Sequence, residues 1–159
     1  MARLALGVIV ILIFLFLGEK KTQKLKNKLM FVDDYRKLMR ELESAIRCVR
    51  KNMFEFFNLS NFKPPFIMHL ILNKNQSIDE SRQNFTCETE EEKIVKIILP
   101  ALSFAQSSSD IEGISASLNY ADEQLCQYQR ELKEELDGKI KTTPYLYFLC
   151  GVFIAVLIL

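Results

Sequence analysis

The sequence has no tryptophan, one histidine, four prolines and five glycines among its 159 residues. A chain with so few glycines and prolines is a poor candidate for a turn-rich β fold and suits helices better. The glycines are scattered rather than clustered, so no glycine-rich loop is available to cradle a phosphate. The net charge is +1, from 21 basic and 20 acidic residues, and gives no overall signal for nucleic acid. We therefore expect an all-α protein without a nucleic-acid partner.

The sequence also lacks a recognisable catalytic or metal-binding pattern. The four cysteines are widely separated, at Cys48, Cys87, Cys126 and Cys150. No Cys-x-x-Cys pair or Cys/His cluster is present, which argues against a zinc site or a redox pair. His69 lies in an apolar stretch, where a packed histidine is expected rather than a catalyst. Four glutamates within residues 88–92 are expected to be solvated in a first helical turn. We predict that the protein is not an enzyme and holds no cofactor or metal.

Two uncharged apolar runs, residues 4–17 and 145–159, stand out from the rest of the chain. Each has about 15 residues, somewhat fewer than the roughly 20 that comfortably span a bilayer. Both are apolar on every face, and a domain of this size could not enclose two such helices. No small-residue cleavage site follows the first run, so a cleaved signal peptide is disfavoured. We predict transmembrane helices at 1–18 and 144–159, with flanking lysines that snorkel to the membrane surface.

The lysines beside these runs predict the orientation in the membrane. Five follow the first run, at Lys20, Lys21, Lys24, Lys26 and Lys28, and three precede the second, at Lys133, Lys139 and Lys141. Positive residues favour the cytoplasmic side, so residues 19–143 are expected to form a cytoplasmic domain with both chain ends outside. The first cluster is also suited to contact with anionic lipids.

Three glycosylation sequons favour the opposite orientation. They begin at Asn58, Asn75 and Asn84, and they matter only if the central domain enters a secretory lumen. The alternative interpretation is therefore a membrane-anchored glycoprotein or receptor-like interaction module that faces the outside.

A long helix is predicted after the first run. Apolar residues recur there in steps of three and four, at Leu25, Leu29, Val32, Tyr35, Met39, Leu42, Ile46, Val49, Met53 and Phe56. This coiled-coil-like spacing predicts one helix over residues 24–57 that continues from the first membrane helix. The segment before Pro64 and Pro65 is expected to end it.

Shorter helices are predicted in the middle of the chain. One is expected at residues 66–74, and capping-box patterns at Ser77 and Thr89 predict two more. Pro100 is expected to kink or shorten the helix that starts at Thr89.

A second long helix is predicted from the Ser109-Asp110-Ile-Glu112 pattern onward, interrupted at Gly138. Its apolar stripe comprises Ile114, Leu118, Ala121, Leu125, Tyr128, Leu132, Leu136 and Ile140. Two long helices tied to one membrane at opposite chain ends must run antiparallel. The predicted fold is an all-α, membrane-anchored helical bundle. Its two long antiparallel helices continue from the transmembrane helices, with short helices between them.

Three stretches resemble the stage III sporulation protein AB family of endospore-forming bacteria. They are the leucine-rich residues 38–46, the turn around Ser109 and Asp110, and the apolar residues 151–159 that follow a long charged helix. The sequence departs from the family pattern at Gln106 or Ser107, where a glycine is usual, and around Asn52, where a Pro-Leu turn is usual.

The resemblance implies a non-catalytic role in the mother-cell membrane, in a complex similar to type II secretion systems. The implied partners are membrane lipids, a secretion-type ATPase and other stage III sporulation membrane proteins. The implied role is that of a platform or adaptor for the ATPase. The turn at Ser109, Asp110 and Glu112 is the candidate partner interface, and the alternative is that these residues only cap the following helix.

Overall fold

The computed structural model describes the backbone of residues 2–50, 52–85 and 89–158, and all of the regular structure in those ranges is helical. The helices are α1 (Ala2–Val49), α2 (Met53–Leu59), α3 (Pro65–Leu72), α4 (Ile78–Gln83), α5 (Thr89–Ser107) and α6 (Ile111–Ile158). The predicted all-α class is confirmed. The chain divides into two compact units, one of Met1–Phe31 with Gln129–Leu159 and the other of Val32–Tyr128.

The first unit is an antiparallel pair of helical segments from α1 and α6. Two close approaches show the antiparallel direction, because the residue that comes later in α1 faces the residue that comes earlier in α6. A Cβ atom added to Gly7 would lie 3.6 Å from the Cβ of Ala155, and one added to Gly18 would lie 3.0 Å from the Cβ of Tyr147. Glycine has no side chain to keep the backbones apart, and small residues are typical of such helix contacts in membranes.

The second unit has an apolar core to which all six helices contribute. Its fully buried large side chains are Tyr35, Leu38, Met39, Leu42, Phe57, Phe66, Ile67, Leu70, Ile78, Ile94, Ile98 and Leu102. The stripe predicted for the last helix is buried at Ile114, Leu118, Ala121 and Leu125. Hydrophobic periodicity therefore identified the core faces of both long helices in this unit.

Two polar contacts link α1 to α6 within the second unit. Arg36 Nε donates to Asp122 Oδ1 at 3.0 Å, and the hydroxyl of Ser115 donates to the carboxylate of Glu43. Arg36 precedes Glu43 along α1, whereas its partner Asp122 follows Ser115 along α6. The two segments therefore run antiparallel here.

The first long helix ends earlier than predicted, at Val49 rather than Phe57. Arg50 adopts a left-handed backbone conformation with φ of 55°. Asn52 then starts α2, because its side chain accepts a hydrogen bond from the Phe54 N–H at 2.9 Å. An asparagine side chain that caps a new helix competes with continuation of the old one. The break turns Val49 outward, 62% exposed.

The short helices α3 and α4 agree with the sequence patterns. Helix α5 begins at Thr89, but the Thr89 side chain that was predicted to cap it lies outside the described residues. The capping box of α4 is present, with Ser77 Oγ accepting from the Glu80 N–H at 3.1 Å and Glu80 Oε2 accepting from the Ser77 N–H at 3.2 Å. Of the two effects predicted for Pro100, the shortening is wrong, because α5 continues to Ser107, and the kink stays a prediction. Pro100 is exposed, so water can reach the backbone carbonyl that the missing N–H leaves unpaired.

The predicted interruption at Gly138 is also wrong. Helix α6 continues through Gly138 and Pro144 to Ile158. An isolated glycine costs only about 1 kcal/mol in a helix interior, which the surrounding helix tolerates.

Candidate interaction surfaces

The first unit exposes an apolar surface along both of its helical segments. Eight large side chains of α1 between Leu6 and Leu17 are 36% to 59% exposed, and seven of α6 between Tyr145 and Leu157 are 42% to 72% exposed. Among the described residues, one helix, α6, has the length and the apolar composition needed to cross a membrane. An apolar surface of this extent marks contact with lipid or with another protein.

Two lysines lie beside aromatic rings where the apolar surface of the first unit ends. Lys20 Nζ is 5.0 Å from the centroid of the Phe16 ring, and Lys21 Nζ is 5.7 Å from that of Tyr147. Cation–π attraction holds each ammonium group close to the ring while the lysine stem covers apolar surface. The rings of Phe14 and Tyr147 pack with their centroids 6.5 Å apart, so Tyr147 of α6 contacts both Phe14 and Lys21 of α1.

The candidate interface at Ser109, Asp110 and Glu112 lies in the second unit, at the turn between α5 and α6. All three residues are exposed. Asp110 Oδ1 accepts from the Glu112 N–H at 3.2 Å, and the Asp110 N–H donates to Ser108 Oγ at 3.1 Å. Asp110 is therefore the N-cap of α6, whereas the capping-box pattern had predicted Ser109 at that position.

An apolar side chain missed by the sequence analysis lies beside this turn. Phe104 is 40% exposed. A Cβ atom added to Gly113 would lie 3.1 Å from Phe104 Cε1 and 2.5 Å from Asp110 Oδ2. Gly113 therefore allows the ring and the capping carboxylate to approach the first turn of α6 together. We call Phe104, Ser109, Asp110 and Glu112 the turn surface.

One member of the acidic run is buried, contrary to the prediction that the whole run is solvated. Glu91 is 5% exposed, and its Oε1 accepts hydrogen bonds from Tyr35 Oη at 2.7 Å and from the Phe66 N–H at 3.2 Å. Pro64 and Pro65 have no N–H, so that of Phe66 is the first donor of α3. Glu91 thus satisfies the N-terminus of α3 from another helix and joins α1, α3 and α5.

Its neighbour Glu92 forms surface ion pairs. Lys96 Nζ lies 2.9 Å and Arg82 Nη2 3.4 Å from Glu92 Oε1. The hydrogen bond from Lys96, its charge and that of Arg82 lower the pKa of the Glu92 carboxyl below its ordinary value. The solvated interpretation is correct for Glu92.

The ion pair between α1 and α6 is partly shielded from solvent. Burial disfavours the charged form of Arg36, but the hydrogen bond and the charge of Asp122 outweigh it and raise the pKa of the guanidinium. Arg40 Nε also lies 3.9 Å from the same Asp122 oxygen. Asp122 therefore links two turns of α1 to α6.

His69 and the three cysteines that the structure describes lie apart from one another, without the grouping that a metal or redox site needs. His69 packs against the Phe85 ring with centroids 5.2 Å apart, as expected of a packed residue. Cys48, Cys126 and Cys150 are free thiols, and Cys87 lies outside the described residues. Within the part of the chain that the structure describes, no group of three or more His, Cys, Asp or Glu residues is placed to hold a metal ion.

These features define an all-helical protein with an exposed apolar surface and a helix long and apolar enough to cross a membrane. The family model for stage III sporulation protein AB matches residues 3–159. The chain therefore belongs to this family, as its sequence resemblance suggested, and is a stage III sporulation protein. No curated protein and no solved structure matches it.

Proposed function

We propose that the protein is a non-catalytic membrane component of the secretion-like stage III complex between mother cell and forespore. It acts there as a platform or adaptor for a secretion-type ATPase. Family membership over residues 3–159 is the observation that carries this proposal. Other stage III sporulation membrane proteins are its further partners.

Membrane anchoring is supported by the free energy that the apolar surface of the first unit would cost in water. Fifteen large apolar side chains lie on this surface, eight from α1 and seven from α6, and most are about half exposed. Full burial of such a side chain is worth about 1.5–3 kcal/mol, so half of it contributes about 1 kcal/mol each. The sum, on the order of 15 kcal/mol, favours insertion of both segments. The anchors are residues 1–18 and 144–159, and short spans are accommodated by snorkelling and local thinning.

In this proposal residues 19–143 form a cytoplasmic helical bundle in the mother cell. The lysines that follow the first apolar run and precede the second support that side of the membrane. A cytoplasmic bundle can meet an ATPase and anchor or transmit force without an active site of its own.

The turn surface is the proposed contact for the ATPase. It combines an exposed ring, Phe104, with the acidic side chains of Asp110 and Glu112. Aromatic anchors with flanking charges are typical of protein–protein contacts, and the acidic groups fit a basic partner surface. Asp110 is also a helix cap, so Glu112 is the better position for testing binding without loss of stability.

Reporter fusions test the topology. Fusion at residue 80 of an enzyme active only in the cytoplasm should give activity, and the same fusion with an enzyme active only outside should give none. The reverse pattern would refute the cytoplasmic placement. It would favour the outward-facing glycoprotein or receptor-like module, which the exposure of Asn58, Asn75 and Asn84 permits.

Co-purification tests the ATPase contact. We expect Glu112→Lys to reduce recovery of the ATPase at least about fivefold, because one charge reversal in an interface costs on the order of 1 kcal/mol or more. Glu123→Lys, an exposed change on the same helix, is the matched control and should leave recovery unchanged. Equal recovery with both variants would place the contact elsewhere.

A further inference from the structure

The first unit contains a groove that its anchoring role does not explain. The groove encloses about 430 Å³ and is lined by α1 together with Pro144 of α6. Phe16 supplies an apolar side chain to the lining, and Lys20 and Lys26 supply ammonium groups. The volume falls within the range of about 300–1,000 Å³ typical of small-ligand sites.

The groove lies at the end of the apolar surface. Phe16 belongs to the first apolar run, and Pro144 directly precedes the second. The remaining lining residues, Glu19, Thr22 and Gln23, are polar and follow the first run along α1. A molecule in this groove would therefore have a polar part beside α1 and an apolar part continuing along the exposed apolar side chains. Phospholipids have this division.

The charges of the lining favour one kind of phospholipid. Two lysines and one glutamate give the lining a net charge of +1, since two positive charges minus one negative charge leave one. Lys20 Nζ is held 5.0 Å from the Phe16 ring, beside the apolar part of the groove. A phosphate diester carries one negative charge, which matches this lining.

We propose that the groove binds a monoanionic phospholipid of the phosphatidylglycerol type, and this rests on the membrane anchoring proposed above. The phosphate lies between Lys20 and Lys26 in charge-assisted hydrogen bonds. A headgroup hydroxyl donates to the carboxylate of Glu19, and one acyl chain follows Phe16. Basic pockets beside transmembrane helices bind anionic headgroups in this way.

The test uses the full chain in a mild detergent with phosphatidylglycerol added, and native mass spectrometry measures the dissociation constant of the first bound lipid. Lys20→Gln/Lys26→Gln should weaken binding at least about tenfold, because each lysine near a lipid phosphate contributes about fivefold. Lys21→Gln/Lys24→Gln removes the same charge from the same helix outside the groove and should weaken binding less than about threefold. Phosphatidylcholine should bind the unaltered protein at least about tenfold more weakly.

A second pair of variants tests the groove without changing charge. Gln23→Trp places a large side chain at the lining, whereas Met30→Trp places it at an exposed position about two turns further along the same helix, outside the lining. The first should reduce lipid binding and the second should not. This pair also decides the question if the lysine variants fail to fold.

Equal weakening by the two lysine pairs, or equal binding of phosphatidylcholine, would overturn the groove proposal. So would displacement of the lipid by millimolar inorganic phosphate, since the site would then recognise the anion alone. These outcomes are separate from those of the proposed function. If the fusion at residue 80 is active outside the cytoplasm while the two lysine pairs still differ in lipid affinity, the platform role fails and the groove proposal stands. If the fusion is active in the cytoplasm and the two lysine pairs bind lipid equally, only the groove proposal fails.

Discussion

Replacement of Glu91 by alanine should strongly destabilise the second unit. The carboxylate is 5% exposed and accepts hydrogen bonds from both Tyr35 Oη and the Phe66 N–H. Alanine leaves both donors buried without this acceptor. It also removes the carboxylate oxygen that accepts from the first N–H of α3.

The expected magnitude follows from the two donors. A buried donor that loses its partner costs about 1–3 kcal/mol, so two cost about 2–6 kcal/mol. Part of this is offset because the variant no longer desolvates a carboxyl group. We expect a net loss of about 2–4 kcal/mol. In a unit of about 100 residues this lowers Tm by about 10–25 °C.

Circular dichroism of the full chain in detergent measures Tm, and hydrogen exchange locates the effect. Exchange should accelerate in α3, where the Phe66 amide loses its acceptor. Glu91→Gln is the matched control, because the amide oxygen can still accept from both donors, and it should cost no more than about 1 kcal/mol. A loss below about 1 kcal/mol for Glu91→Ala, with unchanged exchange in α3, would refute the assigned role.

Three further predictions concern other contacts. Glu92→Gln should lower Tm at neutral pH, and the difference in Tm should shrink as the pH falls below the ordinary pKa of the carboxyl group. The folded-state pKa of Glu92 is lowered, so its stabilisation is present above the ordinary pKa of about 4.3 and lost as the pH falls through the folded-state value. Gly151→Leu should disrupt the first unit, because a Cβ atom there would lie 3.3 Å from the backbone of the facing helix. Gly138→Ala should instead raise the free energy of unfolding by about 0.5–1 kcal/mol, because a Cβ atom there meets nothing within 4 Å. Asp110→Ala should cost about 0.5–2 kcal/mol as a lost helix cap. Ser109→Ala should stay within about 0.5 kcal/mol.

Each of these three has an outcome that contradicts it. A Tm difference for Glu92→Gln that persists unchanged at pH 3 would mean that its ion pairs are not the cause. Equal Tm values for the two glycine variants, measured in the same detergent, would deny the close approach at Gly151. Equal losses for Asp110→Ala and Ser109→Ala would leave the cap of α6 unidentified.

The core of the second unit could be predicted from the sequence because its pattern is local. Spacings of three and four predicted burial of Val32, Tyr35, Met39, Leu42 and Ile46, and all five are buried. The same spacing failed at Val49, which is exposed at the end of α1, whereas Met53 of the same pattern is buried, but in α2. An apolar residue at the right interval says which face it would occupy if the helix continued, and does not say whether the helix continues. Asn52, which starts α2, decided that point, because its capping side chain competes with continuation of the helix.

The role of Glu91 could not be predicted, since it depends on contacts distant in sequence. Its partners Tyr35 and Phe66 are 56 and 25 residues away. In sequence it is one of several glutamates in a helix start, where solvation is the ordinary outcome. Pro64 and Pro65 offered one signal: a helix that begins with two prolines has an early N–H to satisfy and no side chain at its N-cap to do so. That signal predicts an acceptor from elsewhere without identifying it.

The two units bury different kinds of residue, and this difference is an argument for different surroundings. In the second unit the large apolar side chains are inside, as water requires. In the first unit Gly7, Gly18 and Gly151 are buried while leucine, isoleucine and phenylalanine side chains of the same helices are exposed. Water would favour the reverse arrangement, because burying a glycine, which has no side chain, removes little apolar area. In lipid the exposed side chains cost nothing, and close backbone packing through small residues becomes the main attraction between helices. The glycine variants therefore test the surroundings as well as the contact. If Gly151→Leu destabilises the first unit in detergent micelles, its stability comes from backbone approach, as expected for a membrane helix pair.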